Sequence, residues 1–320
     1  MRMIPATLAV LLLGTSGAAA QNLPCSQVRL IVPYPAGGAT DVASRVVAER
    51  LDAALKKPVV VENRGGAAGN IGTVAAINAP PDGCTLLVNA TVIATFPHSF
   101  SRLAYDPFKD LLPVGGIGVT PSLVVAAPSV PAKDIKSLVE WSKSKAGGLN
   151  YSTAGYGLQQ HLATEEIAQR TGAKVTHVAY KGGVSAMTDL IAARLDFGVF
   201  LAGTTKGLLS DGKLRGIAIV SDKRSDLVPD IPTTAEQGLP GMNSHGVHFM
   251  LFAPAATPKP VVAYLGGELR KIITEPSLKQ RFFGIGFDAT PLTGDEVAAI
   301  MRKTQDDLAP LIKRLNIKLD

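Results

Sequence analysis

The stretch from Val28 to Leu51 constrains this chain more than any other. Val28-Arg29-Leu30-Ile31-Val32 is β-branched and apolar, Pro33-Tyr34-Pro35-Ala36-Gly37-Gly38 cannot continue a strand, and Asp41 stands before Val42, Val46, Val47 and Leu51 at helical spacing. A buried strand, a glycine loop and an amphipathic helix in that order make one βα unit of an α/β sheet. The first-turn N–H groups of such a helix lack partners inside it and sit at the positive end of its dipole, so with the loop amides they favour a carboxylate or phosphate. The same pattern also serves as an ordinary βα turn, but two prolines flanking Tyr34 hold the loop stiff and extended, which suits a site.

The chain opens with Arg2, an apolar run from Leu8 to Leu13 and Ala18-Ala19-Ala20 before Gln21, the pattern of a secretory signal over residues 1–20. The run is too short to span a bilayer. Pro24 before Cys25 does not fit a lipid-modified cysteine, so the mature chain is expected to be periplasmic and free of a lipid anchor. Basic residues number 32 against 26 acidic, a formal net charge of +6, without a Lys/Arg run interleaved with aromatics. Nucleic acid is therefore excluded as a partner, and anionic small molecules fit the mild positive excess. An oxidising compartment allows Cys25 and Cys84 to pair, because parallel neighbouring strands would bring both to one end of a sheet. Two separate buried thiols are the other reading.

Pro58 to Glu62 reads as a second strand, followed by the glycine-rich Asn63 to Gly72. That cluster lacks the Lys-Ser/Thr of a nucleotide loop, and no acidic residue ends the next strand to hold a ribose, so no nucleotide cofactor is expected. Pro80-Pro81-Asp82-Gly83 is a turn, and Cys84 to Val88 is a strand ending in Asn89-Ala90-Thr91. In a doubly wound sheet the loops at the carboxyl ends of neighbouring strands gather ligand groups, which sets Tyr34–Gly38 beside Asn89–Thr91. A second series begins with Leu123 to Ala126 and includes a second strand, glycine loop and helix from Leu149 through Thr153-Ala154-Gly155-Tyr156-Gly157 to His161. Two changes of pattern, near Pro113 and near Gly246, divide the mature chain into a first lobe of residues 21–113 and 247–320 and a second of residues 114–246. Two crossings between two lobes make a hinged cleft.

Several of these motifs agree in order with one family. Ile31-Val32-Pro33-Tyr34-Pro35-Ala36-Gly37-Gly38 with Asp41, Val61-Glu62-Asn63-Arg64, Pro81-Asp82-Gly83-Cys84, Tyr180-Lys181-Gly182-Gly183, Pro232 to Gly238 and Phe252-Ala253-Pro254 resemble the Bug family of periplasmic solute receptors of the tripartite tricarboxylate transporter type. The resemblance covers the whole mature chain. It implies a two-lobed α/β periplasmic binding protein, each lobe a doubly wound, mostly parallel sheet, closing like a Venus flytrap on a small organic carboxylate and serving a membrane permease as a monomer. Carried onto this chain, the first-lobe contacts are Tyr34, Pro35, Ala36, Gly37, Gly38 and Asp41, with Asn89, Ala90 and Thr91 beside them; Asp41 has the alternative role of capping its helix. The second-lobe contacts are Thr153, Ala154, Gly155, Tyr156, Gly157, Tyr180, Lys181, Gly182, Gly183 and Phe200. The chain departs from the family where Leu158 replaces a Ser or Thr and where Val199-Phe200-Leu201-Ala202 lacks a polar residue, which favours an aromatic or aliphatic carboxylate over a compact, highly charged one.

The alternative, an exported enzyme acting on a small carboxylate, needs an acid, a base or a metal. The histidines are His98, His161, His177, His245 and His248, and His245 and His248 lack an HExxH setting. A Gly-x-Ser-x-Gly elbow is missing, so a receptor without catalytic residue, metal or cofactor is expected.

Overall fold

The computed structural model describes residues 23–180 and 182–319; the expected signal segment, residues 1–20, and Lys181 lie outside the described residues. The chain runs through β1 (Val28–Val32), α1 (Ala39–Leu55), β2 (Val59–Asn63), α2 (Asn70–Ile77), β3 (Thr85–Ala90), the short α3 (Phe96–Ser99) and β4 (Leu111–Thr120). It continues with β5 (Ser122–Ala126), α4 (Ile135–Ser144), β6 (Leu149–Ser152), α5 (Gln159–Thr171), β7 (Val175–Val178), α6 (Gly183–Ile191), β8 (Phe197–Leu201), α7 (Ala202–Ser210) and β9 (Arg215–Ile219). The last part comprises β10 (Val247–Pro254), α8 (Lys259–Thr274), α9 (Pro276–Gly284), β11 (Asp288–Ala289) and α10 (Gly294–Arg314).

These elements form two mixed sheets with flanking helices, one in the order β11-β4-β10-β3-β1-β2 and the other β7-β6-β8-β5-β9. In each, the strands that lead into glycine loops are parallel to their neighbours: β1 pairs with β2 and β3, and β6 with β7 and β8. The strands that carry the chain between sheets, β4, β5 and β10, are antiparallel to theirs. Helices cover both faces, so β3 and β5 are buried at every position and read as continuous apolar runs rather than alternating ones. Cys25 and Cys84 are joined by a disulfide with Cα atoms 6.0 Å apart, which ties the segment before β1 to the start of β3.

The chain changes sheets at Pro121, not after Pro113. Residues 114–120, expected in the second lobe, are the body of β4 and pair with β10 in the first sheet. The change of pattern near Pro113 falls inside this strand, at glycines where later elements come close: an added Cβ would lie 3.0 Å from Leu292 O at Gly115, 2.7 Å from Thr290 O at Gly116 and 3.0 Å from Asp288 O at Gly118. Pro113 sits beside a register shift in the ladder, where a missing N–H is tolerated. The return crossing precedes β10, near Gly246.

Each sheet has its own apolar core. A third, smaller cluster of Leu162 from α5 with Leu308, Leu311, Ile312 and Ile317 joins the second sheet's helix to the carboxyl-terminal helix. The helix α10 starts at a capping box in which Thr293 and Glu296 satisfy each other's backbone donors.

Candidate functional site

β1 lies beside β3 with Leu30 opposite Leu86 and Ile31 opposite Leu87, so the segments leaving both strands emerge together. Tyr34 Oη donates to Asn89 Oδ1 at 3.0 Å, and Asn89 Nδ2 donates to Thr73 Oγ1 at 3.2 Å. The Tyr34 ring lies over Gly69, where an added Cβ would be 3.2 Å from it, and Gly72 lies under Pro33, where a Cβ would be 2.8 Å from the proline Cα. Burial, and then the neighbouring Tyr105, push the Tyr34 phenol well above its ordinary pKa, so it stays a neutral donor. The loop that follows, residues 35–38, is exposed. Ala90 and Thr91 are buried behind it.

The sequence places Asp41 among the contacts, but the structure turns both its oxygens inward. It is 3% exposed; Oδ2 accepts from Gly37 N at 2.9 Å and Arg45 Nε at 3.1 Å, and Oδ1 accepts from Asn63 Nδ2 at 3.0 Å. Asn63 Nδ2 also reaches Tyr34 O at 3.1 Å. Burial raises the carboxyl pKa, but the hydrogen bonds from Arg45, Gly37 and Asn63 outweigh it and leave the group below its ordinary range. Asp41 therefore fixes the loop's shape, and Arg45 and Asn63 are its partners. The first helical bond of α1 runs from Val42 N to Gly38 O, which leaves the amides of Ala39, Thr40 and Asp41 at the helix mouth without helical acceptors.

In the second lobe Thr153 is buried, with Oγ1 donating to Gly155 O at 3.0 Å and lying 3.1 Å from His177 Nε2. Ala154 packs on Gly183, where a Cβ would be 3.7 Å from its methyl group, so the loops after β6 and β7 meet. Tyr156 is 43% exposed, with its ring centroid 4.7 Å from that of His161. Gly157 faces the carboxyl-terminal Ile317 and Leu319 and donates its N–H to His161 Nδ1 at 3.1 Å. Tyr180 Oη donates to Asp189 Oδ2, which commits the phenol to α6. Gly182 has φ +126 and caps α6 at Gly183. Phe200 departs from the expected contact role: it is 2% exposed, and its ring closes over Gly198 in the second core.

The two halves adjoin through Thr91, expected from the sequence beside the first-lobe loop, and through Gln159 and Ser244, which motif reading does not single out. Gln159 Nε2 donates to Thr91 Oγ1 at 3.0 Å and to Ser244 O and Gly246 O at 3.1 and 3.2 Å. His245 Nδ1 lies 3.2 Å from Gln159 O and its Nε2 lies 2.8 Å from Glu166 Oε2, while Ser122 Oγ donates to His245 O at 2.8 Å. The start of α5 is thus bonded both to the loop after β3 and to the return crossing at residues 244–246, which Ser122 ties in turn to the outgoing one. Gln159 and Ser244 carry no local signature, because their partners are distant in sequence. The signal available is Gln159 itself, a polar residue opening a helix whose buried positions also include Leu162, Ala163 and Ile167.

Two mixed α/β sheets linked by two adjacent crossings, with glycine loops at the carboxyl ends of the parallel strands in both, define a two-lobed periplasmic binding protein. Matching over residues 43–317, the chain belongs to the family described as Tripartite tricarboxylate transporter family receptor. It is 30% identical to the protein BugT of Bordetella pertussis over 302 residues, 94% of this chain and 92% of that one. Among solved structures it is similar to the periplasmic binding protein BugD, with 31% identity and a TM-score of 0.82 over 91% of this chain and 98% of that one. It is likewise similar to Rpa4515 of R. palustris with adipate, with 28% identity and a TM-score of 0.85 over 92% and 99%. The Rhodopseudomonas palustris protein MatC with bound malate is 27% identical, with a TM-score of 0.81 over 90% and 99%.

Proposed function

We propose that this protein captures a small carboxylate compound between its lobes and delivers it unchanged to a membrane permease of the tripartite tricarboxylate type. It acts as a monomer in the periplasm after loss of residues 1–20. The observation that carries this reading is the Thr91–Gln159 bonding, which holds the loop after β3, beside the first-lobe glycine loop, against the start of α5. A ligand lying on the loop of residues 34–38, exposed over 35–38 and backed by residues 89–91, then meets residues 153–157 and 180–183 as the lobes close. Backbone amides of exposed loops and helix starts suffice to hold a carboxylate, and closure follows from the ligand's greater affinity for the closed arrangement. The adipate and malate bound by related proteins support a ligand of this class. The exposed Tyr156 and the apolar Leu158 favour an aliphatic or aromatic chain between or beside the carboxylates.

The test is a thermal-shift screen of the mature protein against mono-, di- and aromatic carboxylates, followed by solution scattering and mass spectrometry of the recovered compound. Stabilisation by a carboxylate, compaction on binding and an intact ligand are expected. An altered compound, formed at a rate set by the protein, would overturn the receptor reading, and binding without compaction would reject lobe closure.

A further inference from the structure

Both lobes carry the same turn. In the first, Gly37 at φ +82 precedes Gly38 at φ −75 and ψ 166, and Val42 N makes the first helical bond to Gly38 O at 3.0 Å. In the second, Gly157 at φ +72 precedes Leu158 at φ −69 and ψ 161, and Leu162 N makes the first helical bond to Leu158 O at 3.0 Å. In both, the N–H of the left-handed glycine is taken by the side chain four residues on, Gly37 by Asp41 Oδ2 at 2.9 Å and Gly157 by His161 Nδ1 at 3.1 Å. The two turns match position for position, and the acceptor alone differs in kind. A ring nitrogen that accepts a hydrogen bond cannot carry a proton, so His161 is neutral with its hydrogen on Nε2.

The surroundings of the ring agree. His161 is 4% exposed, and its centroid lies 6.4 Å from Tyr151 on β6, 4.4 Å from His177 on β7 and 4.7 Å from Tyr156 in its own loop. Glu165 on the same helix is 3.9 Å from Nε2, and its Oε1 already accepts the Tyr151 hydroxyl. Burial, and then His177, hold the imidazole pKa down to about 3. Asp41, in contrast, is a carboxylate paired with Arg45.

We propose that His161 is the positioning residue of the second half-site, the uncharged counterpart of Asp41, and that it fixes the Gly157 amide without putting a negative charge beside a bound anion. The positioning role stands on the geometry alone. The consequence for binding rests on the receptor reading above.

Three variants separate the two statements. His161→Asn keeps a neutral acceptor, His161→Asp imports the first lobe's charged one, and His161→Phe keeps a ring but loses the acceptor. Without ligand, nitrogen NMR should show an unprotonated His161 Nδ1 down to about pH 5, well above the depressed pKa. Amide exchange at Gly157 should be slow in the wild type, His161→Asn and His161→Asp, and fast in His161→Phe. A protonated Nδ1, or equal protection in His161→Phe, overturns the positioning role. Calorimetry with adipate as the probe should leave His161→Asn within about threefold of wild type and weaken His161→Asp on the order of tenfold or more, the size expected of one added charge near the anion. Equal affinities of His161→Asn and His161→Asp overturn the charge argument. Wild-type protein that binds neither adipate nor the shorter straight-chain dicarboxylates rejects the receptor reading for this class, and the charge argument with it, while the NMR and exchange signals still decide the positioning role.

Discussion

Replacing Asp41 by Ala should destabilise the protein by about 2–4 kcal/mol and loosen the first-lobe loop. The carboxylate holds Gly37 N at 2.9 Å and Asn63 Nδ2 at 3.0 Å, and hydrogen bonds to a charged group are each worth about 1.5–3 kcal/mol. The ion pair with Arg45 adds little, because that side chain is 54% exposed and regains water when its partner leaves. Exposure of Gly37 lets water replace part of its bond, which sets the total below the sum of two full bonds. The sign with pH follows from the depressed carboxyl pKa. Asp41 contributes fully above the ordinary aspartate value near about 4, and the contribution fades as pH falls through its lower folded value. Urea unfolding of the mature protein and of Asp41→Ala, at neutral pH and under acid conditions, measures both. A loss smaller than about 1 kcal/mol at neutral pH with an unchanged denaturant slope would refute the clamp, because removing a buried carboxylate that accepts from Gly37 and Asn63 cannot cost so little even with water at the exposed Gly37.

Gly38 has φ −75, and an added Cβ would sit 3.4 Å from Pro35 O, so Gly38→Val should fold normally yet cover the helix mouth; calorimetry should show carboxylate affinity lost by at least about tenfold with the melting curve little changed. Loss of the Cys25–Cys84 bridge, which spans 59 residues, should cost up to about 4 kcal/mol by the chain-entropy argument, measured by denaturation of Cys25→Ser/Cys84→Ser against wild type. His161 should give the protein an acid-sensitive slope: its folded pKa of about 3 lies below the unfolded value, so stability is complete above about pH 6.5 and declines as pH falls toward the folded value, by about 2 kcal/mol at about pH 5. Denaturation across this range should show that slope in wild type and a shallower one in His161→Asn.

The sequence by itself determined the elements whose causes are local. The β-branched run before Pro33, the glycines before α1 and the turn at Pro80 to Gly83 set strand, loop and helix through neighbouring residues, and their order set the two-sheet architecture. The same local logic made the loops at 34–38 and 153–157 visible as a pair. The tertiary structure decided what each residue in those loops is for. Asp41 reads equally as a contact or a cap until Gly37, Arg45 and Asn63 are seen around it. Phe200 reads as a contact until its ring is found over Gly198. Gln159 and His161 gain their roles from Thr91, Ser244 and Gly157, partners whose direction the sequence does not contain. β4 shows the reason most plainly: its glycines coincide with a change of pattern along the chain, yet they pair with β10 as strand residues, and at Gly116 an added Cβ would lie 2.7 Å from Thr290 O. A glycine in sequence records that space is short, and what fills that space is fixed when distant segments pack.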